Sequence, residues 1–162
     1  NTTLILYELL DSAGLLELDL QPFVAGRHYH APGKARPLSS ELKFADGVMR
    51  FKVDADAPVL NLLVPGSDFE SRMEWHHSVL YREDRDRGYD YLEDLILPGV
   101  LRVKLAPGEK LWVSASAETD PGRAQDLFEA ERQRRESILC AAEIRCRLSP
   151  DTHGLRIGAA TA

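Results

Sequence analysis

The stretch from Tyr81 to Gly99 combines the side-chain types that form buried polar networks or bind ligands rich in hydroxyls. Its carboxylates, guanidinium groups and phenols are Glu83, Asp84, Asp86, Asp90, Glu93, Asp94, Arg82, Arg85, Arg87, Tyr81, Tyr89 and Tyr91. The stretch then becomes apolar and ends at Pro98-Gly99, where we expect a break. This mixture predicts a polar network at a buried edge or a hydroxyl-binding surface. An ordinary charged loop between two strands is the third interpretation.

Catalysis by these carboxylates is disfavoured. Glycoside hydrolysis needs two carboxyl groups across a substrate, roughly 5 Å or roughly 6.5–9.5 Å apart, whereas neighbours such as Glu93 and Asp94 diverge on an extended chain. Interleaved arginines would also hold the carboxyl pKa values low, which is wrong for a general acid. No G-x-S-x-G elbow and no phosphate-binding glycine loop occurs. We therefore expect no catalytic residue and no cofactor in this chain.

Two other features could bind a ligand. The run Arg27-His28-Tyr29-His30 has histidines two residues apart, but only Glu41 follows as a nearby carboxylate, so a hydrogen-bonded or exposed pair is favoured over a metal site. Trp75 is a candidate stacking platform for a sugar ring, although a tryptophan in a small β domain is more often a core anchor.

Composition excludes several classes of protein. A net charge of −6 and basic residues that alternate with acids argue against nucleic acid. No apolar run approaches the roughly 18 residues that span a bilayer, and the N-terminus has no secretory pattern. Cys140 and Cys146 match neither a disulfide framework nor a zinc pattern. These features predict a soluble cytoplasmic chain with reduced thiols.

Alternation and turn residues predict about nine strands. Eight of them have bounds that the pattern defines: Thr2–Leu10, Leu15–Val24, Glu41–Ala45, Val48–Val53, Val59–Val64, Phe69–Tyr81, Val100–Leu105 and Lys110–Ala117. Asp46-Gly47 predicts a tight hairpin, Val59–Val64 a central strand covered on both faces, and 106–109 a hairpin turn. The pattern is typical of an all-β antiparallel sandwich.

One long helix is predicted from Ala124 to about Glu143, after Asp120 as N-cap and Pro121 at the first helical position. We expect a sandwich domain with this C-terminal helix over residues 1–143 and a linker over 144–162. The start without Met and the end after a short apolar run suggest a piece of a longer polypeptide.

Several of these residues carry a family resemblance. Tyr81, Glu83, Arg87-Gly88, Asp90, Glu93-Asp94-Leu95 and Pro98-Gly99 fit the pattern Y-x-E-x-x-x-R-G-x-D-x-x-E-D-L-x-x-P-G. The run resembles one in the N-terminal domain of bacterial-type glycogen debranching enzymes (amylo-α-1,6-glucosidases). Asn1-Thr2-Thr3 with Tyr7–Leu10, and Pro22 with Arg27, Tyr29 and His30, are similar to earlier stretches of that domain.

The resemblance, which covers roughly residues 1–142, implies a supersandwich-like domain that packs on an (α/α)6-barrel catalytic domain of the same polypeptide. The hydrolytic acids would lie in that other domain, with an α-glucan as a further candidate partner. Glucan or interdomain contacts would come from Arg27, His30, Trp75, Tyr81, Glu83, Arg87, Asp90, Glu93 and Asp94. A free-standing carbohydrate-binding module and a sandwich for protein–protein contact are the alternatives.

Overall fold

Strands dominate the part of the chain that the computed structural model describes, which is residues 2–27, 32–37, 39–118 and 123–148, with backbone alone for 143–148. The elements are β1 (Thr2–Glu8), β2 (Leu16–Leu20), β3 (Glu41–Ala45), β4 (Val48–Lys52), β5 (Leu60–Leu63), β6 (Asp68–Leu80), α1 (Arg82–Asp86), β7 (Leu92–Leu105), β8 (Lys110–Ser116) and α2 (Ala124–Leu148). The chain divides into two compact units, Asn1–Ala124 and Gln125–Ala162.

The strands form two antiparallel sheets. The larger sheet has the order β1-β8-β5-β4-β3, and the smaller has the order β2-β7-β6. Core side chains come from both sheets, among them Phe51 and Val113 of the larger and Ile96 and Leu101 of the smaller. The predicted all-β antiparallel sandwich is confirmed.

Alternation in β2 shows how the sequence directs side chains to the core. Leu18 and Leu20 lie opposite Val103 and Leu101 of β7 and pack against the core. The intervening Asp19 is exposed and accepts hydrogen bonds from Arg102. Because successive side chains of a strand point to opposite faces, one face of β2 is apolar and the other charged. Each fully buried Val or Leu contributes about 1.5–3 kcal/mol.

Two local predictions in the larger sheet are confirmed. Asp46 and Gly47 join β3 to β4 with φ angles of 51° and 73°. Positive φ at both central residues is what the tightest hairpin turns require, and Asp-Gly tolerates it. The strand β5 pairs with β4 on one side and β8 on the other, and its Asn61 and Leu62 are both buried. It is therefore central and covered on both faces.

The predicted hairpin of Val100–Leu105 with Lys110–Ala117 is wrong. The strand β7 pairs with β2 and β6, whereas β8 pairs with β1 and β5 in the other sheet. The turn at 106–109 carries the chain across the sandwich, and β1 and β2 likewise lie in different sheets. The segment after β1 and the segment after β7, which each connect one sheet to the other, contact each other. Leu9 N donates to Glu109 O (3.1 Å) and Gly108 N donates to Leu9 O (2.6 Å). A short turn can connect sheets as well as neighbouring strands, so turn residues alone do not decide the pairing.

The break expected at Pro98-Gly99 is absent, because β7 continues through both residues. The partner strand β6 bulges here: Ser71 lies opposite Gly99 and Glu74 opposite Leu97, which leaves Arg72 and Met73 facing Pro98. Proline lacks an N–H and is tolerated in a sheet at such a bulge. The bulge bends β6 around the residue that would otherwise interrupt the ladder.

The C-terminal helix runs five residues further than predicted, to Leu148. Its exposed surface carries ion pairs one turn apart, such as Arg132 with Glu129 and Glu136. Pairs at this spacing stabilise a helix through its own side chains. The proposed cap at Asp120-Pro121 lies outside the described residues. No helix among the described residues is long and apolar enough to cross a membrane.

Gly99 is required by close packing, and we expect Gly99→Ala to destabilise the fold. An added Cβ would lie 2.5 Å from Cζ of Phe69 and still closer to the carbonyl oxygen of Glu70. Overpacking of this kind costs about 1–3 kcal/mol. Urea unfolding should show this loss, whereas Gly14→Ala, with no atom within 4 Å of its added Cβ, should change the free energy of unfolding little. Equal stability of the two variants would contradict the close approach.

Candidate functional site

Two adjacent carboxylates at the start of β7 organise the polar part of the domain. Glu93 is 0% exposed and Asp94 is 8% exposed. A buried carboxylate is costly unless it is paired and hydrogen-bonded, so its partners reveal what it holds in place. Those partners come from the segment before β3 and from the end of β6.

Glu93 is bound by four donors. Arg27 donates from Nε to Oε1 (2.6 Å) and from Nη2 to Oε2 (2.8 Å), which is the bidentate geometry that favours arginine over lysine. The backbone N–H of Gly33 donates to Oε1 (2.8 Å), and the hydroxyl of Tyr81 donates to Oε2 (2.7 Å). Chiefly through the hydrogen bonds from Arg27, these donors lower the pKa of Glu93 to about 2. Burial is the main cause of a raised pKa for Tyr81.

Asp94 is bound mainly by backbone. Ala35 N donates to Oδ2 (2.9 Å) and Ser78 N donates to Oδ1 (2.8 Å), while Nδ1 of His77 lies 3.4 Å from Oδ2. These contacts, with the bond from Ala35 first, lower the pKa of Asp94 to about 2. Ser78 has φ 59° and belongs to a second bulge of β6, where His76 lies opposite Leu95 and Val79 opposite Glu93. The carboxylate therefore satisfies an N–H that the bulge removes from the ladder.

The segment 33–35 is fixed to β7 at successive residues. Besides the bonds from Gly33 N and Ala35 N, the carbonyl oxygen of Gly33 accepts from Asp94 N (2.9 Å). Lys34 Nζ donates to the carbonyl oxygen of Leu92 (2.7 Å). Together the side chains of Glu93 and Asp94 hold this irregular segment against the smaller sheet.

The charged stretch 81–91 folds as a short helix followed by a turn. The sequence also allowed an ordinary charged loop as one interpretation of this stretch. Tyr81 N donates to Tyr91 O (2.9 Å), which closes the connection, and the helix α1 follows Tyr81 directly. The turn after α1 uses Gly88, with φ 76°. The hydrogen bond from Tyr81 to Glu93 thus ties this connection to the buried network.

The residues singled out from the sequence separate into distinct places. Arg27, Tyr81, Glu93 and Asp94 come together in the network. Glu83, Arg87 and Asp90 are exposed on α1 and the turn after it. Trp75 lies opposite Ile96 on β6 and packs, partly buried, against the core. His28 and His30 lie outside the described residues.

The network is built for positioning rather than for proton transfer. A general acid needs a pKa raised toward the working pH, but Glu93 and Asp94 have lowered pKa values and several donors each. Within the described ranges, no group of three or more His, Cys, Asp or Glu side chains could hold a metal ion.

Several participants in the network cannot be recognised from the sequence. Gly33, Ala35 and Ser78 contribute backbone N–H groups, which every residue but proline carries, so no residue type marks them. The structure accounts for the glycine at position 33, because an added Cβ there would lie 3.3 Å from Oε1 of Glu93, but the sequence alone does not show this contact.

The chain matches the model of a known protein family. A family model described as glycogen debranching enzyme N terminal matches residues 1–112, which includes the two sheets up to the start of β8 and the whole Glu93–Asp94 network. No curated protein and no solved structure matches the chain significantly.

Replacement of Arg27 by alanine should strongly destabilise the sandwich. The substitution leaves the carboxylate of Glu93 buried without its bidentate partner, and loss of one member of such a pair typically costs about 3–5 kcal/mol. Denaturant unfolding of Arg27→Ala checks this. The matched control is Arg102→Ala, which removes an equally bidentate but exposed pair with Asp19 and should cost far less. Similar losses in both variants would contradict the assignment of Glu93 as the buried anchor.

Glu93 should also make stability depend on acidic pH. Its folded pKa of about 2 lies below the usual value of 4.5, so its stabilising contribution is complete above pH 4.5 and is lost as pH falls toward 2. Glu93→Gln cannot titrate, so its unfolding should take up about one proton fewer near pH 3 than that of the unsubstituted chain. Thermal unfolding measured across pH 2–6 gives this slope. Parallel profiles for the two proteins would contradict it.

Proposed function

The chain belongs to the family of glycogen debranching enzyme N-terminal domains, and from this premise we propose that it is the non-catalytic sandwich of such an enzyme. A catalytic domain of the same polypeptide would hydrolyse the α-1,6-glucosidic branches in the cytoplasm, with residues 144–162 leading toward it. The observation that carries the proposal is the family match over residues 1–112, which contains the complete Glu93–Asp94 network.

A supporting role fits the chemistry of that network. Both carboxylates are buried, several-fold hydrogen-bonded and held in the ionised form. Such groups hold chain segments in place but do not deliver protons to a leaving group. The hydrolytic acids are therefore assigned to the other domain.

The connection 80–92 is the surface that we assign to contact with the catalytic domain. Leu80, Tyr89 and Tyr91 are 43%, 66% and 38% exposed, and the exposed Arg87 lies at the end of α1 beside them in the chain. Tyrosine and arginine are enriched at the centres of protein interfaces. The bond from Tyr81 to Glu93 gives this surface a fixed base, so the domain would present a preformed contact rather than a mobile loop.

Contact with α-glucan is the second part of the proposal. Exposed Tyr89 and Tyr91 offer aromatic faces on which sugar rings can stack, and Glu83 and Asp90 offer carboxylates for hydroxyls. These residues would then form the rim of the glucan groove of the intact enzyme. A free-standing carbohydrate-binding module would use the same side chains without a catalytic partner.

Variants of the polypeptide that carries both domains test the proposal. Arg87→Ala combined with Tyr89→Ala should lower kcat/KM for glucose release from limit dextrin by about tenfold or more, or separate the thermal unfolding of the two domains. Arg50→Ala, an exposed arginine on β4, is the control and should leave both unchanged.

The unmodified 162-residue chain, assayed alone on the same dextrin, should release no glucose. Release by the chain alone would contradict a non-catalytic role. Unchanged kinetics and unfolding in the Arg87/Tyr89 variant would contradict the interdomain surface.

A further inference from the structure

The strand β1 forms one edge of the larger sheet, with β8 on its inner side. Within the part of the chain that the structure describes, no strand pairs with its outer side. The pairing of β1 with β8 runs without a shift from Thr2↔Ser116 to Glu8↔Lys110. The edge is therefore regular over the seven residues of β1, and another strand can add to it along this length.

The ladder shows which main-chain groups point away from the sheet. Leu9 N donates to Glu109 O (3.1 Å), which continues the register of β1 with β8 by one residue pair. Because alternate residues of an antiparallel strand bond to the same neighbour, the odd-numbered residues of β1 bond to β8, as Leu9 does. The N–H and C=O groups at the free edge are therefore those of Thr2, Leu4, Leu6 and Glu8.

The other three edge strands are protected against pairing. Natural sheets protect their edges with charged side chains, prolines or bulges. The strand β2 carries Glu17 and Asp19, β3 carries Glu41 and Lys43, and β6 is charged and interrupted by two bulges. In β1, by contrast, residues 2–7 are uncharged and the register has no bulge. The edge of β1 is therefore the one that favours addition of a strand.

The side chains at this edge are apolar on both faces of the sheet. Ile5 is 42% exposed and Leu6 is 39% exposed, and as neighbours on a strand they point to opposite faces. The one charged residue of β1, Glu8, lies at the end of the strand and pairs with Lys110 of β8 (3.3 Å). The net charge of −6 is therefore not concentrated at this edge, and charge repulsion does not oppose pairing there.

We propose that the edge of β1 binds the same edge of a second copy of the chain, antiparallel and about a two-fold axis. Ile5 is the middle residue of β1, so an axis through Ile5 pairs every residue of the strand with a residue of the copy. An axis at any other residue would leave part of the strand unpaired. This inference does not rest on the proposed function.

The register about Ile5 suits the main chain and the side chains. Leu4 lies opposite Leu6 of the copy, and Thr2 lies opposite Glu8 of the copy, so the outward-pointing N–H and C=O groups meet as hydrogen-bonded pairs. Glu8 faces no carboxylate, whereas a parallel pair in register would set the two Glu8 residues side by side. The interaction occupies the β1 edge of both chains, so it closes at two copies.

Sedimentation equilibrium of the 162-residue chain tests the pairing. The mass should rise with concentration toward twice the 18.1 kDa of one chain and stop there. Leu6→Lys places a charge at the edge and should weaken association by about tenfold, because the dimer contains the changed pair twice. The control is Leu16→Lys, the same change on β2 at a leucine of similar exposure (42% against 39%), which should leave association unchanged.

A cross-link tests the register. In a background with Cys140 and Cys146 replaced by alanine, Ile5→Cys puts two thiols in a non-hydrogen-bonded pair at the axis. Cα atoms in such a pair are about 4.5 Å apart, which is close enough for a disulfide. Mild oxidation should therefore link this variant into dimers. Thr3→Cys, which lies opposite Tyr7 of the copy, should link far more slowly.

The proposal is overturned if the chain has the mass of one copy up to its solubility limit, or if its mass rises past two copies without a plateau. It is also overturned if Leu6→Lys and Leu16→Lys associate equally, or if Ile5→Cys links no faster than Thr3→Cys. The kinetics of the Arg87/Tyr89 variant do not depend on these outcomes, so the proposed function is tested separately.

Discussion

The polar architecture of the domain depends on the burial of one carboxylate. Glu93 lies 0% exposed on the central strand of the smaller sheet, where an unpaired charge would destabilise the fold. Its donors come from Arg27, Gly33 and Tyr81, which lie in two segments far apart in sequence. Asp94 adds donors from the same two segments at Ala35 and Ser78. One dipeptide on β7 therefore fixes both the irregular segment before β3 and the end of β6.

The buried residues that stabilise the fold differ from the exposed residues proposed to contact a partner. Glu93 and Asp94 accept hydrogen bonds from within the domain, whereas the proposed contact residues lie on the surface beside them. The hydrogen bond from Tyr81 to Glu93 connects the network to the exposed connection 80–92. The proposed interdomain surface thus has one side anchored to Glu93. A preformed surface loses less conformational entropy on binding, which suits a domain that supports chemistry performed elsewhere.

The sequence predicted features that local physical chemistry decides. Alternation placed Leu18 and Leu20 in the core, and Asp46-Gly47 fixed a hairpin because both residues tolerate positive φ. The choice of sheet at the turn 106–109 was not predictable, since the same turn residues serve a hairpin and a crossing. The break predicted at Pro98 is wrong because the bulge that accommodates this proline lies on the partner strand. The sequence pattern predicted the charged side chains of the network. It could not predict the backbone donors at Gly33, Ala35 and Ser78, because their positions depend on tertiary structure.

Hydrogen exchange at those three amides tests the central claim most directly. If Glu93 and Asp94 anchor the irregular segment, the amides of Gly33, Ala35 and Ser78 should exchange slowly although none of them lies in a regular strand ladder pair. Asp94→Asn should accelerate exchange at Ala35 and Ser78 more than at the distant amide of Leu62. Fast exchange of all three amides in the unsubstituted chain would contradict the account, because it would mean that the two carboxylates do not hold these segments in solution.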